Sequence, residues 1–169
     1  MTINSAGGVR IYLGTTAIPT FANNFDPTNS VQVAEMIAEF EADSYVEIGE
    51  VEDLGEFGDE SAAITFTSLA NSRTRKLKGA RDAGTQTIVV GDDMTDDGQA
   101  ALEAAEASHL DFNVKIVLND ALTLGGEGST HYYFGKVMSK RRNVGNIGNV
   151  IKRTFNIGIN SPIVSSDPT

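Results

Sequence analysis

Two long β-type runs close the chain, "THYYFGKVMSKRR" (residues 130–142) and "NVIKRTFNIGIN" (149–160), separated only by the turn residues "NVGNIG". Neighbours of this kind have one default arrangement, an antiparallel hairpin. Upstream lie further alternating or β-branched segments: "VRIYLG" (9–14), "SYVEIGEV" (44–51), "AAITFTSL" (62–69), "TQTIVVG" (85–91) and "LDFNVKIVL" (110–118). In the third, alternation directs Ile64 and Phe66 inward and Thr65 and Thr67 outward. In the last, Phe112, Val114, Ile116 and Leu118 alternate with Asn113, Lys115 and Val117. The clearest helix is "TDDGQAALEAAEAS" (95–108), with Thr95 or Asp96 as N-cap, acids in its first turn, and a narrow apolar stripe of Leu102, Ala105 and Ala101. A shorter amphipathic helix is expected over 30–43, capped by Ser30, with Val33, Met36, Ile37 and Phe40 at helical spacing. About seven strands with a helical crossover in only one pair predict a mainly β (α+β) fold: an antiparallel β-sandwich or barrel with one flanking helix.

At 169 residues the chain fits one domain able to bury a core. Its expected parts are an N-terminal strand and extension (1–43), a long loop region (52–84) and a C-terminal arm (161–169). The segment 15–29, rich in Thr, Asn and Pro, is expected to be loop. A net charge of −10 weighs against a surface built to grip nucleic acid, since phosphate binding needs positive charge. Cysteine is absent, which excludes a disulfide framework, a thiol nucleophile and a cysteine-based zinc site. The first residues do not read as a secretory signal, and no run approaches a membrane span, so the chain is expected to be soluble when made.

Charge is segregated along the chain. No Lys or Arg occurs between Arg10 and Arg73, and "YVEIGEVEDLGEFG" (45–58) sets acids beside an apolar repeat. Glu50, Glu52, Asp53, Glu56, Asp59 and Glu60 are then followed by the cations Arg73, Arg75, Lys76, Lys78 and Arg81 in "RTRKLKGAR". A metal site, an acidic cleft and an interface compete to explain this. For calcium, Asp93, Thr95, Asp97 and Gly98 resemble the start of an EF-hand loop, but the twelfth place in that frame is Ala104, with Glu103 one position early. A helix N-terminus explains the same residues. No pair of carboxylates is set apart for acid–base work. His109 and His131 lack ligand spacing, and no G-x-S-x-G elbow occurs. "GGEGS" and "NVGNIGN" read as turns. The basic run lacks aromatics for base stacking, so an acidic partner on this chain or a neighbour explains it better. A second cluster, Lys140, Arg141, Arg142, Lys152 and Arg153, flanks the final hairpin. No cofactor and no catalytic constellation are expected.

Taken in order, "YVEIGEVEDLGEFG", "RTRKLKG", "DAGTQTIVV", "DDGQAALEAAEA" and the closing hairpin resemble the tail tube (major tail) proteins of long-tailed, lambda-like siphophages, over roughly residues 45–159. The resemblance implies a β-sandwich with a flanking helix that forms hexameric rings, whose inner sheets join around a channel. It also implies rings stacked into a non-contractile tube that conducts genomic DNA, contacts between rings from the long loop and terminal arm, and a place in the virion. Tape measure, tail tip and terminator proteins are the implied partners, with no membrane. Under it, residues 50–60 and 73–81 are expected to meet across subunit or ring boundaries. The alternative is a soluble β-sandwich binding module, metal-dependent through residues 92–97.

Overall fold

The computed structural model describes residues 7–18 and 30–169, so most of the loop expected over 15–29 lies outside the described residues. Ten strands and two helices follow in the order β1 (Arg10–Ile18), α1 (Ser30–Glu41), β2 (Tyr45–Glu47), β3 (Val51–Asp53), β4 (Glu60–Thr67), β5 (Thr74–Asp82), β6 (Thr85–Gly91), α2 (Asp97–Ala107), β7 (Asp111–Val117), β8 (Thr130–Asn143), β9 (Lys152–Ile159) and β10 (Val164–Ser166). β1 runs four residues past the expected Gly14, with a register irregularity between Leu13 and Ala17 on β7.

One antiparallel sheet carries the fold, in the order β2-β1-β7-β8-β9-β6-β3, with β10 added beside β8. Its two outermost strands, β2 and β3, are consecutive in sequence and separated by residues 48–50. Four Cα steps span at most about 14 Å, so the sheet must curl until its two edges come together. No ladder joins β2 to β3, and the sheet stays an open, sandwich-like body rather than a closed barrel. The segment 44–51, expected as one strand, is therefore two strands on opposite edges. The break falls at Gly49 and at Glu50, which takes a left-handed φ of 54°.

The inward face buries Ile11, Leu13, Ile88, Val90, Val114, Ile116, Tyr133, Phe155 and Ile157 together with Leu102 and Ala105 of α2. That is the helix stripe and the strand alternation anticipated from the pattern. Burial of such side chains is worth about 1.5–3 kcal/mol each. On the opposite face of β8, Tyr132 and Phe134 pack against Met36 and Phe40 of α1 and Val164 of β10, with Phe40 stacked on Tyr132 at 5.5 Å. The 161–169 segment, expected as an arm outside the core, thus contributes a core residue and a strand. Lys115 stands on that outer face over the rings of Tyr12, Tyr45 and Tyr132, at 5.9, 5.8 and 5.7 Å.

The start of α2 clasps the joint between β2 and β3. Asp96 is the cap: its Oδ1 accepts from the Gln99 amide at 2.7 Å and its Oδ2 from the Gly49 amide at 3.2 Å. Gly98 lies against the Glu47 carbonyl and the Ile48 backbone, where a Cβ would clash. The buried Gln99 donates Nε2 to the carbonyls of Gly91 (2.8 Å) and Gly49 (3.4 Å), and its Oε1 accepts from the Asp93 amide at 3.3 Å. One side chain therefore satisfies three backbone groups that β2, β3 and β6 leave unpaired. Gln99→Leu keeps the volume and strands those groups. Unpaired buried polar groups cost about 1–3 kcal/mol each; because two of the three bonds are long, at 3.3 and 3.4 Å, the variant should lose roughly 2–4 kcal/mol in a urea titration, and an unchanged midpoint would refute the clasp.

Candidate assembly surface

The stretch 45–58 resolves into two sides. Ile48, Val51, Leu54 and Phe57 turn toward the core, while Glu47, Glu50, Glu52, Asp53, Glu56, Asp59 and Glu60 are exposed. Gly55, at φ 60°, brings the backbone against the Thr87 carbonyl at a distance no Cβ would allow. Phe57 meets His131 edge-on at 5.5 Å. The acids are thus the solvent side of a segment that seals the core. Of them, Glu52 binds Lys152 at 2.6 Å and Asp59 lies 3.9 Å from Arg81; the Asp53 carboxylate accepts the Gly55 amide.

The expected long loop 52–84 is instead largely regular. β4 and β5 form a separate two-stranded hairpin, packed chiefly against each other. Its register sets Ile64 opposite Leu77 and Phe66 opposite Arg75 on one face, and Thr65 opposite Lys76 and Ala63 opposite Lys78 on the other. Ile64 and Phe66, expected inward, are 54% and 58% exposed, and Leu77 is 60% exposed. The alternation is real, but among the described residues no second layer covers the apolar face. Among the described residues, Arg73, Arg75, Lys76 and Lys78 have no ion-pair partner; only Arg81, at the base, reaches an acid. The acidic and basic segments are therefore adjacent in the fold but barely paired within one chain.

A further open feature, on β8, has no local signature in the sequence. β7 pairs with residues 130–135 of β8, and β9 and β10 occupy the other side of that strand. Residues 136–143 thus present an edge without a strand partner among the described residues, interrupted by a bulge at Met138. Pairing two such edges satisfies backbone groups that a lone subunit leaves to water.

The second basic cluster is not simply a solvated hairpin end. Arg153, 2% exposed, pairs through Nε with Asp92 at 2.5 Å and through its other nitrogens with Asp92 and Glu103 (2.8 Å). Arg142 also binds Asp92, at 2.9 Å, and Lys140 binds Glu103 at 3.5 Å. Position 153 shares the inward face with Phe155 and Ile157, a periodicity that could have singled it out. Within the acidic segment 92–97, Asp92 serves the arginines and Asp96 caps α2. The Thr95 amide and hydroxyl, each at 2.8 Å, hold the Asp93 carboxyl below its ordinary pKa. Among the described residues no cluster of three or more acids or histidines is disposed to hold a metal, and no helix is long and apolar enough to cross a membrane.

The family model for the phage tail tube protein, TTP, matches residues 17–139, and the chain belongs to the phage tail tube protein family. It is a component of the phage tail. No curated protein sequence matches the chain. Among solved structures it is similar to a chain of the anti-feeding prophage (AFP) baseplate, at TM-score 0.66 and 12% identity over 99% of this chain and 98% of that one. It is also similar to the SPP1 tail tube, at TM-score 0.58 and 11% identity over 94% and 76%. A third is the sheath/tube terminator of the extracellular contractile injection system PVC, at TM-score 0.62 and 9% identity over 98% of both chains. The fold is common to a phage tail tube and to contractile injection particles, so it marks a tail-tube architecture rather than the siphophage type alone.

Proposed function

We propose that this chain is the repeating, non-catalytic subunit of a tail tube, six copies closing a ring and rings stacking into a channel for genomic DNA. The observation that carries the reading is the β4–β5 hairpin. A two-stranded ribbon with both faces in water is marginal on its own, and this one exposes Ile64, Phe66 and Leu77 on a single face. A neighbouring copy that covers that face completes it, and the unpaired edge of β8 supplies a second junction between copies. The free cations Arg73, Arg75, Lys76 and Lys78 meet acids of the 50–60 segment on the neighbour. Terminator, tip and tape measure proteins are the partners such a tube needs at its ends and in its lumen; one structural relative is itself a sheath/tube terminator. Net acidity suits a conduit: neutralising several phosphates per subunit round a ring would arrest DNA, and repulsion reaches only about 8 Å at physiological salt.

Charge reversal at Arg75 and Lys76 tests the ionic part. The double variant R75E/K76E should assemble poorly at low salt by negative-stain microscopy while its circular dichroism melt matches that of the native chain. Normal tubes from it would sink the pairing.

A further inference from the structure

The two ends of β8 carry complementary exposed features. At one end, the turn after Asn143 projects Val144, Ile147 and Val150, with Ile147 110% exposed. The projection is built rather than loose. The Asn149 amide bonds the Asn146 carbonyl at 2.9 Å, and the Gly145 and Gly148 amides bond the side chains of Asn143 and Asn146, each at 3.1 Å. Gly145 takes the left-handed φ of 63° that the turn requires. At the other end, the segment leading into Thr130 exposes Leu122 and Leu124, at 76% and 108%. It too is held. Asp120 accepts the Ser129 amide at 2.6 Å and its hydroxyl at 2.5 Å, and Thr169 bonds the backbone of Leu122 and Glu127 at 3.2 and 2.9 Å. Apolar side chains fixed outward by their own turns are oriented for contact rather than left over from folding.

Charge follows the same division. No acid occurs in residues 128–166, and no Lys or Arg in residues 116–135. Among the described residues Arg141, beside the tip, has no ion-pair partner, nor do the exposed Glu127 and Asp167 at the opposite end. Fourteen residues of strand, about 3.3 Å each, set the two ends roughly 40 Å apart. One copy translated along β8 therefore brings an apolar tip with a free cation onto an apolar loop flanked by free anions. Such a contact joins different surfaces on the two copies and propagates without closing.

We infer that the residue 144–150 tip of one subunit docks on the Leu122–Leu124 loop of a second copy in the next ring, setting the axial stacking of the tube. This rests on the tube reading above and deepens it. The occupant is this chain because both halves of the contact, apolar and ionic, are present on it at opposite ends.

The absence of cysteine makes the test direct. A chain carrying L124C and I147C cannot close an internal disulfide across roughly 40 Å, since bridged Cα atoms lie within about 7 Å. Both positions are fully exposed, so folding is not at stake. In tubes assembled from this variant, mild oxidation should convert the monomer band into a ladder on a non-reducing gel, and an equimolar mixture of the two single variants should yield dimers only. Tubes that form normally but give no ladder overturn the contact, as do dimers from I147C alone, which would mean that tips meet tips. If microscopy finds no tubes from the native chain at any concentration, the tube reading itself fails and takes this contact with it.

Discussion

Replacing Arg153 by methionine should destabilise the protein by about 3–5 kcal/mol, the cost typical of breaking a buried ion pair by removing one partner. The guanidinium sits on the inward face of β9, 2% exposed, and is shared between Asp92, just past the end of β6, and Glu103 on α2. Methionine fills similar space, so the loss is chiefly electrostatic. Asp92, whose side chain is 12% exposed, would keep only the more exposed Arg142, and Glu103 would keep Lys140. For a chain of this size each kcal/mol moves the melting midpoint by about 2–4 °C, so a drop of roughly 10 °C is expected in a thermal melt. A double variant, D92L/R153M, distinguishes the causes. If an abandoned carboxylate is responsible, removing it as well should recover part of the loss; a double variant worse than the sum of the singles would assign the effect to packing instead.

The second large effect is on assembly rather than stability. Phe66→Asp combined with Leu77→Asp should abolish tubes while moving the monomer melt by less than about 1 kcal/mol, since exposed substitutions rarely do more. Both side chains are more than half exposed in the single chain, so little burial is lost on mutation. In a tube, each fully buried apolar side chain would contribute about 1.5–3 kcal/mol, repeated at every subunit, whereas aspartate would have to be desolvated there. Sedimentation separates the outcomes: a folded monomer that no longer assembles supports the hairpin as the contact, and tubes of normal length refute it.

Much of the body was legible from local chemistry. The α2 helix came from the acids of its first turn and the spacing of Leu102 and Ala105, with the cap, open between Thr95 and Asp96 in the sequence, falling on Asp96, and the β8–β9 hairpin came from two alternating runs around an Asn/Gly turn. The separation of acids from apolar residues in 45–58 followed from side-chain type, because a carboxylate without a partner does not enter a core. The candidate surface was legible in part: the charged residues were visible, but their pairing was not. Asp59 and Arg81 approach within one chain, Glu52 is taken by Lys152, and the remaining cations of the hairpin have no ion-pair partner among the described residues.

Alternation states that a strand has an apolar side; it does not say what covers that side. The same period-2 pattern buries Ile88 and Val90 on β6 and leaves Ile64 and Phe66 in water on β4, because β6 belongs to the curled sheet whose inward face shares a core with α2, whereas β4 and β5 form a separate ribbon. Likewise, "YVEIGEV" reads as one strand until Gly49 and the left-handed Glu50 carry the chain from one edge of the sheet to the other. Residue type and spacing set which segments become strand or helix and which atoms avoid water. Which edges meet and which faces stay open are decided by contacts distant in sequence, and those exist only once the sheet has curled.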